Sequence, residues 1–363
     1  MALPSFDPSG PAAADAGIFG LSCPPEASQL VLVPVPFDAT TSYGHGTAGA
    51  PRAILAASHQ VELFDLELGN PYEQGIALLP IPEAIERLSQ QASQDARRAR
   101  AADASPAERD AAVARVNRAG AEVNRWVFDT CAHWLDRGKQ VGTIGGDHAT
   151  PLGAILAHAE RHPSLSLLHV DAHFDLRSAY EGFVYSHASI MHNVMFAPKL
   201  APDEPARPTV DTLVQVAARD FCQEEHALVL AHPESIHPFV DAELSARAME
   251  GEPFAITAGA IVDRLGPTVY VSLDIDGLEP SFCPHTGTPV PGGLHYRQMV
   301  ALLSAVRQSG RRIVGFDINE VCPGPNGEPW DANVGARLLY KLAGHVLSAP
   351  PRTRPQPLGF SAR

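Results

Sequence analysis

Three short stretches bring together side chains able to hold metal ions. Asp171-Ala172-His173-Phe174-Asp175 places carboxylate, imidazole and carboxylate at alternate positions, and Asp274-Ile275-Asp276 repeats the two-residue spacing. Alternate side chains of an extended segment point the same way, so each set converges. In the third stretch, Gly145-Gly146-Asp147-His148, an imidazole follows two glycines that permit a tight turn. The candidate donors are therefore His148, Asp171, His173, Asp175, Asp274 and Asp276, while Asp147 reads as a turn residue rather than a ligand. Oxygen and imidazole donors without thiolate suit manganese and its neighbours. The set is too large for a catalytic zinc, which takes three protein ligands, and it fits two metals sharing carboxylates. Four carboxylates offset two divalent charges, and such ions lower the pKa of bound water. Unpaired, these acids would be costly to bury.

Each stretch follows a short apolar segment of strand character, at 140–144, 165–170 and 268–273. Further strands are expected at 29–35, 212–217 and 312–318. Helices are expected from residue 50, with Pro51 in the first turn, and at 151–161, 187–196, 223–231, 241–249, 296–309 and 333–347. Strands alternating with helices predict one three-layer α/β domain with a mainly parallel sheet covered on both faces. In such sheets, sites gather beyond the carboxyl ends of the strands. Residues 83–137 are rich in Ala, Arg, Glu and Gln and read as a helical insertion. It breaks at a capping box, Ser105-Pro106-Ala107-Glu108, into two helices of a hairpin whose charged faces are expected to be solvated. The domain is expected to span 29–348, after an irregular lead-in over 1–28 and before a Pro-rich tail over 349–363, with a loop at 198–210.

Composition narrows the function classes. The 363 residues include 27 Lys and Arg against 41 Asp and Glu, a balance of −14, which argues against a basic nucleic-acid grip. No apolar run approaches the ~18 residues of a membrane span. The N-terminus shows no basic stretch leading into an apolar core, so no signal peptide is expected. Five scattered cysteines without a CxxC pair argue against a disulfide framework or thiolate zinc site. A cytoplasmic location is expected.

Other dinuclear hydrolases fit poorly. The calcineurin-like metallophosphoesterases pair DxH with downstream GNH[DE] and GHxH motifs, and neither is present. The HxH strand of amidohydrolases is also missing. The three stretches, in order, instead resemble the motifs of the ureohydrolases: arginase, agmatinase and formimidoylglutamase. The third continues as Leu278-Glu279-Pro280 and then Gly287-Thr288-Pro289-Val290-Pro291-Gly292-Gly293. The likeness runs from about residue 30 to 345. Pro36-Phe37-Asp38 and the stretch Thr41-Ser42-Tyr43-Gly44 through Ile54 are most similar to agmatinase-like members.

The resemblance implies a binuclear manganese centre, with nickel, cobalt or zinc as other occupants. One ion would be held by His148, Asp171, Asp175 and Asp274, and the other by Asp171, His173, Asp274 and Asp276. It implies hydrolysis of a guanidino C–N bond to urea and an amine by a hydroxide shared between the ions. His187 would serve proton transfer, Glu320 would hold the guanidinium, and Asp175 would accept a hydrogen bond from the hydroxide. The substrate tail is left open. Arg177, in Asp175-Leu176-Arg177, favours a carboxylate tail, as in formimidoylglutamase or a hydrolase of 4-guanidinobutyrate or arginine, or else forms a surface ion pair. Asp220 favours a cationic tail, or else pairs with Arg219. Guanidine itself is a further alternative, and an inactive scaffold homologue is the reading from another class. The partners implied are a small guanidino or formimino substrate and further copies of the chain, as a trimer or hexamer.

Overall fold

A computed structural model describes residues 7–13 and 15–348, so the 349–363 tail and residues 1–6 and 14 of the lead-in lie outside the described residues. Eight strands form one sheet: β1 (Leu30–Pro34), β2 (Ile76–Leu78), β3 (Gln140–Ile144), β4 (Leu165–Val170), β5 (Thr212–Val216), β6 (Ile236–Phe239), β7 (Thr268–Asp274) and β8 (Arg312–Asn319). Their order is β2-β1-β3-β8-β7-β4-β5-β6, and every pairing is parallel. The expected sheet is therefore present and wholly parallel.

Ten helices complete the described fold: α1 (Ala50–Ser58), α2 (Glu83–Arg100), α3 (Pro106–Leu135), α4 (Leu152–Ala159), α5 (Ile190–Phe196), α6 (Gln223–Ala231), α7 (Asp241–Met249), α8 (Phe254–Val262), α9 (Tyr296–Gln308) and α10 (Trp330–Leu347). The strands bury both faces because alternate residues meet different helix layers. Leu30 and Leu32 of β1 join the core beneath α8, α9 and α10. Val31 and Val33 join the core beneath α3 and α4.

Two strands and one helix went unread in the sequence. β2 has only three residues, and β6 carries Pro238 and is half-exposed at the sheet edge. Edge strands of this kind give little apolar signal. α8 is apolar around most of its circumference, so its periodicity is weak. The helix expected at 187–196 starts as a 3₁₀ turn over His187–Ser189 before α5. The lead-in is irregular but anchored, with Ile18, Phe19 and Leu21 buried in the core.

The helical hairpin forms as expected. Ser105 caps α3 by accepting from the Glu108 N–H, and Glu108 accepts from the Ser105 N–H in return. Its charged faces are not solvated throughout: Arg100 turns inward and bridges two loops of the site described next.

Candidate metal centre

The four strands that end at the site are neighbours. β3, β8, β7 and β4 lie side by side at the middle of the sheet, although β4 follows β3 directly in the chain. This is where the strand order switches, the usual place for a ligand in an open parallel sheet. Register levels the strand ends: Ile144 pairs with Ile318, Asp274 with Asn319, and Val170 with Leu273. Asp171 and Asp274 therefore emerge at the same height.

The loop after β3 needs its glycines. A Cβ at Gly145 would collide with Asn319 Oδ1, and one at Gly146 with the Phe37 carbonyl. The chain then delivers His148, fully buried, with Nδ1 at 2.9 Å from Asp171 Oδ2 and 3.3 Å from Oδ2 of both Asp175 and Asp274. A second group lies beside it: His173 Nδ1 is 3.2 Å from Asp171 Oδ1 and 3.3 Å from Asp276 Oδ2. Asp171 joins the two groups through its separate oxygens. Asp274 sits with the first and ties itself to Asp276 by accepting its N–H at 2.8 Å. Two clusters of donor atoms could hold a metal ion, one of His148, His169, Asp171 and Asp175, the other of Asp171, His173 and Asp276.

His169 was missed in the sequence. It precedes Asp171 by two residues on the same strand face, so the alternation that marks 171, 173 and 175 begins at 169. Its Nδ1 lies 3.0 Å from the Gln215 amide nitrogen, which donates to it. The proton is then on Nε2 and is donated to Asp171 Oδ2 at 2.9 Å. In this arrangement His169 orients the Asp171 carboxylate.

The electrostatics indicate a site built for cations. Among the described residues, no Lys or Arg side chain pairs with Asp171, Asp175, Asp274 or Asp276; their ionic partners are imidazoles. Burial foremost, and then the Asp171 charge, push Asp175 up to about 8. Burial and the charges of Asp276 and Asp171 raise Asp274 well above the usual carboxylate range. Burial opposes the Asp171 charge too, but His169, His148 and His173 overcome it and hold that carboxyl well below the ordinary range. Burial likewise opposes charge on His148 and His173, and the surrounding aspartates raise both well above the usual imidazole value. Carboxylates this crowded call for positive charge, and their oxygen and imidazole donors fit a pair of divalent ions.

The remaining sequence-derived residues surround this cluster. Glu320 follows β8, and its Oε1 accepts the His148 N–H at 3.0 Å. Its Oε2 is buried without a hydrogen-bond partner among the described residues. Glu320 and Asp175 both occupy left-handed backbone, at φ of 59° and 55°. Such conformations cost non-glycine residues about 1–3 kcal/mol and cluster at functional sites. Asp147 is the expected turn residue: it accepts from Thr40 N–H, Thr40 Oγ1 and Ala149 N–H. Thr40 Oγ1 in turn accepts the main-chain N–H of His187 at 3.1 Å. Its own proton goes to Asp147, so the imidazole Nδ1, 3.4 Å away, fits as the protonated nitrogen. Burial, followed by the charges of His173 and Arg100, pushes His187 down to about 3 and keeps it neutral.

A cleft of about 270 Å³ opens above the cluster, lined by Ser42, His173, Asp175, Arg177, Tyr180, His187, Asp220, Glu225 and Thr288 among others. Both tail candidates reach it. Arg177 lies over the Tyr180 ring, 5.1 Å from its centre, with Nε 3.7 Å from Glu225 Oε2. Asp220 is exposed at the rim. It does not pair with Arg219, whose guanidinium donates to the carbonyls of Ala217, Asp276, Leu278 and Val290.

The fold and this set of strand-end donors define a parallel α/β domain with a candidate metal site at its switch point. Residues 28–344 match the arginase family. The chain is 35% identical over 323 residues to the N(1)-aminopropylagmatine ureohydrolase of Thermus thermophilus, covering 88% of this chain and 91% of that one. Among solved structures, proclavaminate amidino hydrolase from Streptomyces clavuligerus superposes with a TM-score of 0.68 at 24% identity, over 93% of this chain and 99% of that one. Agmatine ureohydrolase of Thermoplasma volcanium gives 0.65 at 24% identity, over 93% and 94%. The chain belongs to the arginase family. Within it, the protein is an agmatinase-like ureohydrolase, a hydrolase acting on C–N bonds of linear amidines.

Proposed function

We propose that this chain releases urea from a guanidino compound with a cationic tail, agmatine or its N1-aminopropyl derivative, using two manganese ions. One observation carries the reading: the free Glu320 oxygen, buried beside a cluster of carboxylates and imidazoles, is an acceptor with no donor among the described residues. A guanidinium supplies planar N–H donors and a matching charge. His148, Asp171, Asp175 and Asp274 would hold one ion, and Asp171, His173, Asp274 and Asp276 the other. Bound divalent ions supply Lewis acidity and a nucleophile at neutral pH. Glu320 fixes the guanidinium, Asp175 accepts a hydrogen bond from the attacking oxygen, and His187 passes a proton to the departing amine.

The cationic tail is supported by the rim. Asp220 is exposed there, whereas the Arg177 charge is drawn toward Glu225 and the Tyr180 face. The name of the Thermus relative agrees. One observation favours a second reading: Arg177 still lines the cleft, where it would receive a carboxylate tail.

The test is a substrate panel on manganese-loaded protein: agmatine, N1-aminopropylagmatine, arginine, 4-guanidinobutyrate, guanidine and formiminoglutamate. Urea and ammonia or formamide are measured in parallel. Urea from the two amines alone supports the proposal. Turnover restricted to the acids transfers tail recognition to Arg177. Metal analysis with nickel, cobalt and zinc as competitors tests the choice of ion. No described helix is long and apolar enough to cross a membrane. The family resemblance supports a homo-oligomer, trimer or hexamer, whose mass light scattering reads, and the scattered cysteines support a cytoplasmic location.

A further inference from the structure

We propose that Arg100, in the last turn of α2, is a positioning residue for His187, and that the α2–α3 hairpin is the scaffold through which it acts. The inference rests on the proton-transfer role given to His187 above.

The guanidinium of Arg100 joins two loops at once. Its Nη1 and Nη2 donate to the carbonyls of Thr41 and Thr40 at 2.9 and 3.0 Å, and its Nε donates to Glu181 Oε2 at 2.5 Å. Thr40 is the residue whose hydroxyl accepts the main-chain N–H of His187 and lies 3.4 Å from its imidazole Nδ1. Glu181 belongs to the loop that runs into His187. One side chain of the hairpin therefore fixes both the support of the imidazole and the segment that carries it.

The same loop is docked on the hairpin by further contacts. Phe183 is fully buried in a small core of Ala96, Ala99, Ala112 and Val116, separate from the two main cores. Asn117 of α3 acts as a two-sided backbone clamp: it donates to the Gly182 carbonyl and accepts the Val184 N–H. Between Tyr180 and Phe183 the chain makes a tight turn, with Glu181 at φ 54° and Gly182 at φ 86°. Positive φ at both central positions is the geometry of a type I′ turn, where glutamate is disfavoured. The Arg100 ion pair holds Glu181 in that unfavourable conformation. A lysine keeps the charge but lacks the planar fork that serves two carbonyls and a carboxylate together.

The test compares the full-length protein with Arg100→Ala, Arg100→Lys and Asn117→Ala, by amide hydrogen exchange and by urea-release kinetics. Arg100→Ala is expected to raise exchange together in 38–46 and 178–190. It is also expected to lower kcat by about 10²-fold, the scale of a ~1 Å misplacement, with KM and bound metal little changed. Arg100→Lys restores part of kcat. Asn117→Ala loosens 178–190 alone, and it serves as the second test if Arg100→Ala fails to fold. The proposal is overturned if exchange in the two loops stays native, or if KM rises while kcat holds. If the native protein releases urea from no guanidino compound, the functional reading falls, and the exchange data still decide whether Arg100 couples the loops.

Discussion

Glu320 Oε1 accepts the main-chain N–H of His148 at 3.0 Å, which locks the strand end of β8 to that of β3. The bond leaves Oε2 without a donor among the described residues. Burial first, and then the charges of Asp274 and Asp147, raise the Glu320 carboxyl well above its usual range. A group held in this way is costly until a cation meets it.

Replacing Glu320 with Gln should therefore separate stability from turnover. The amide keeps an acceptor for the His148 N–H and removes the cost of burying an ionisable carboxyl. We expect the metal-free Glu320→Gln protein to melt higher than the native one at neutral pH. Its kcat/KM for the guanidino substrate should fall by about 10- to 150-fold, from ~1.5–3 kcal/mol for a hydrogen bond to a charged group. Thermal melts and urea assays read the two effects.

The pH dependence of the metal-free protein follows from the raised groups. Asp175, at about 8, and Asp274, Glu320, His148 and His173 all bind protons more tightly when folded. The folded state then holds more protons than the unfolded chain, so the stability these groups confer falls as pH rises, from about 4 for the carboxyls and about 6.5 for the imidazoles, with the Asp175 contribution lost through about 8. Asp171, shifted down, contributes in the opposite sense, but its contribution is complete at lower pH. Added manganese should raise the melting temperature most at the upper end of this window. An equal rise at every pH would sink the account.

His169 should tune metal affinity without being a ligand. Its Nε2–H steadies the Asp171 oxygen facing His148. Substituting the partners of ligating carboxylates typically weakens metal binding by about 10–100-fold. We expect His169→Gln to bind two ions per chain with affinity reduced on that scale, as measured by competition with a chelating dye. Loss of one ion altogether would make it a ligand.

The tail residues should divide by substrate charge. Asp220→Asn is expected to raise KM for agmatine-type substrates severalfold, an effect that shrinks with added salt. Arg177→Ala should leave those substrates nearly unaffected. A large loss with Arg177→Ala, confined to acids such as 4-guanidinobutyrate, would instead place Arg177 on the substrate carboxylate.

By itself, the sequence determined most of the local chemistry. The spacing marked residues 171, 173 and 175 as one donor group, although β4 ends at Val170 and it is the bent segment beyond it that brings them together, and the Ser105 capping box forms within four residues. The wholly parallel sheet follows from strands that alternate with helices, whereas β2 and β6 were too short or too exposed to show. Tertiary structure decided what depends on distant residues meeting. It set β7 and β8 between β3 and β4, so that His148, Asp171, Asp274 and Glu320 share one height. It gave His169 its role through Gln215, which lies 46 residues away. It also turned Arg100, a surface charge by helical periodicity, into a bridge between two loops. Periodicity reports which face of a helix meets the core, but it cannot report which remote carbonyls await a donor there.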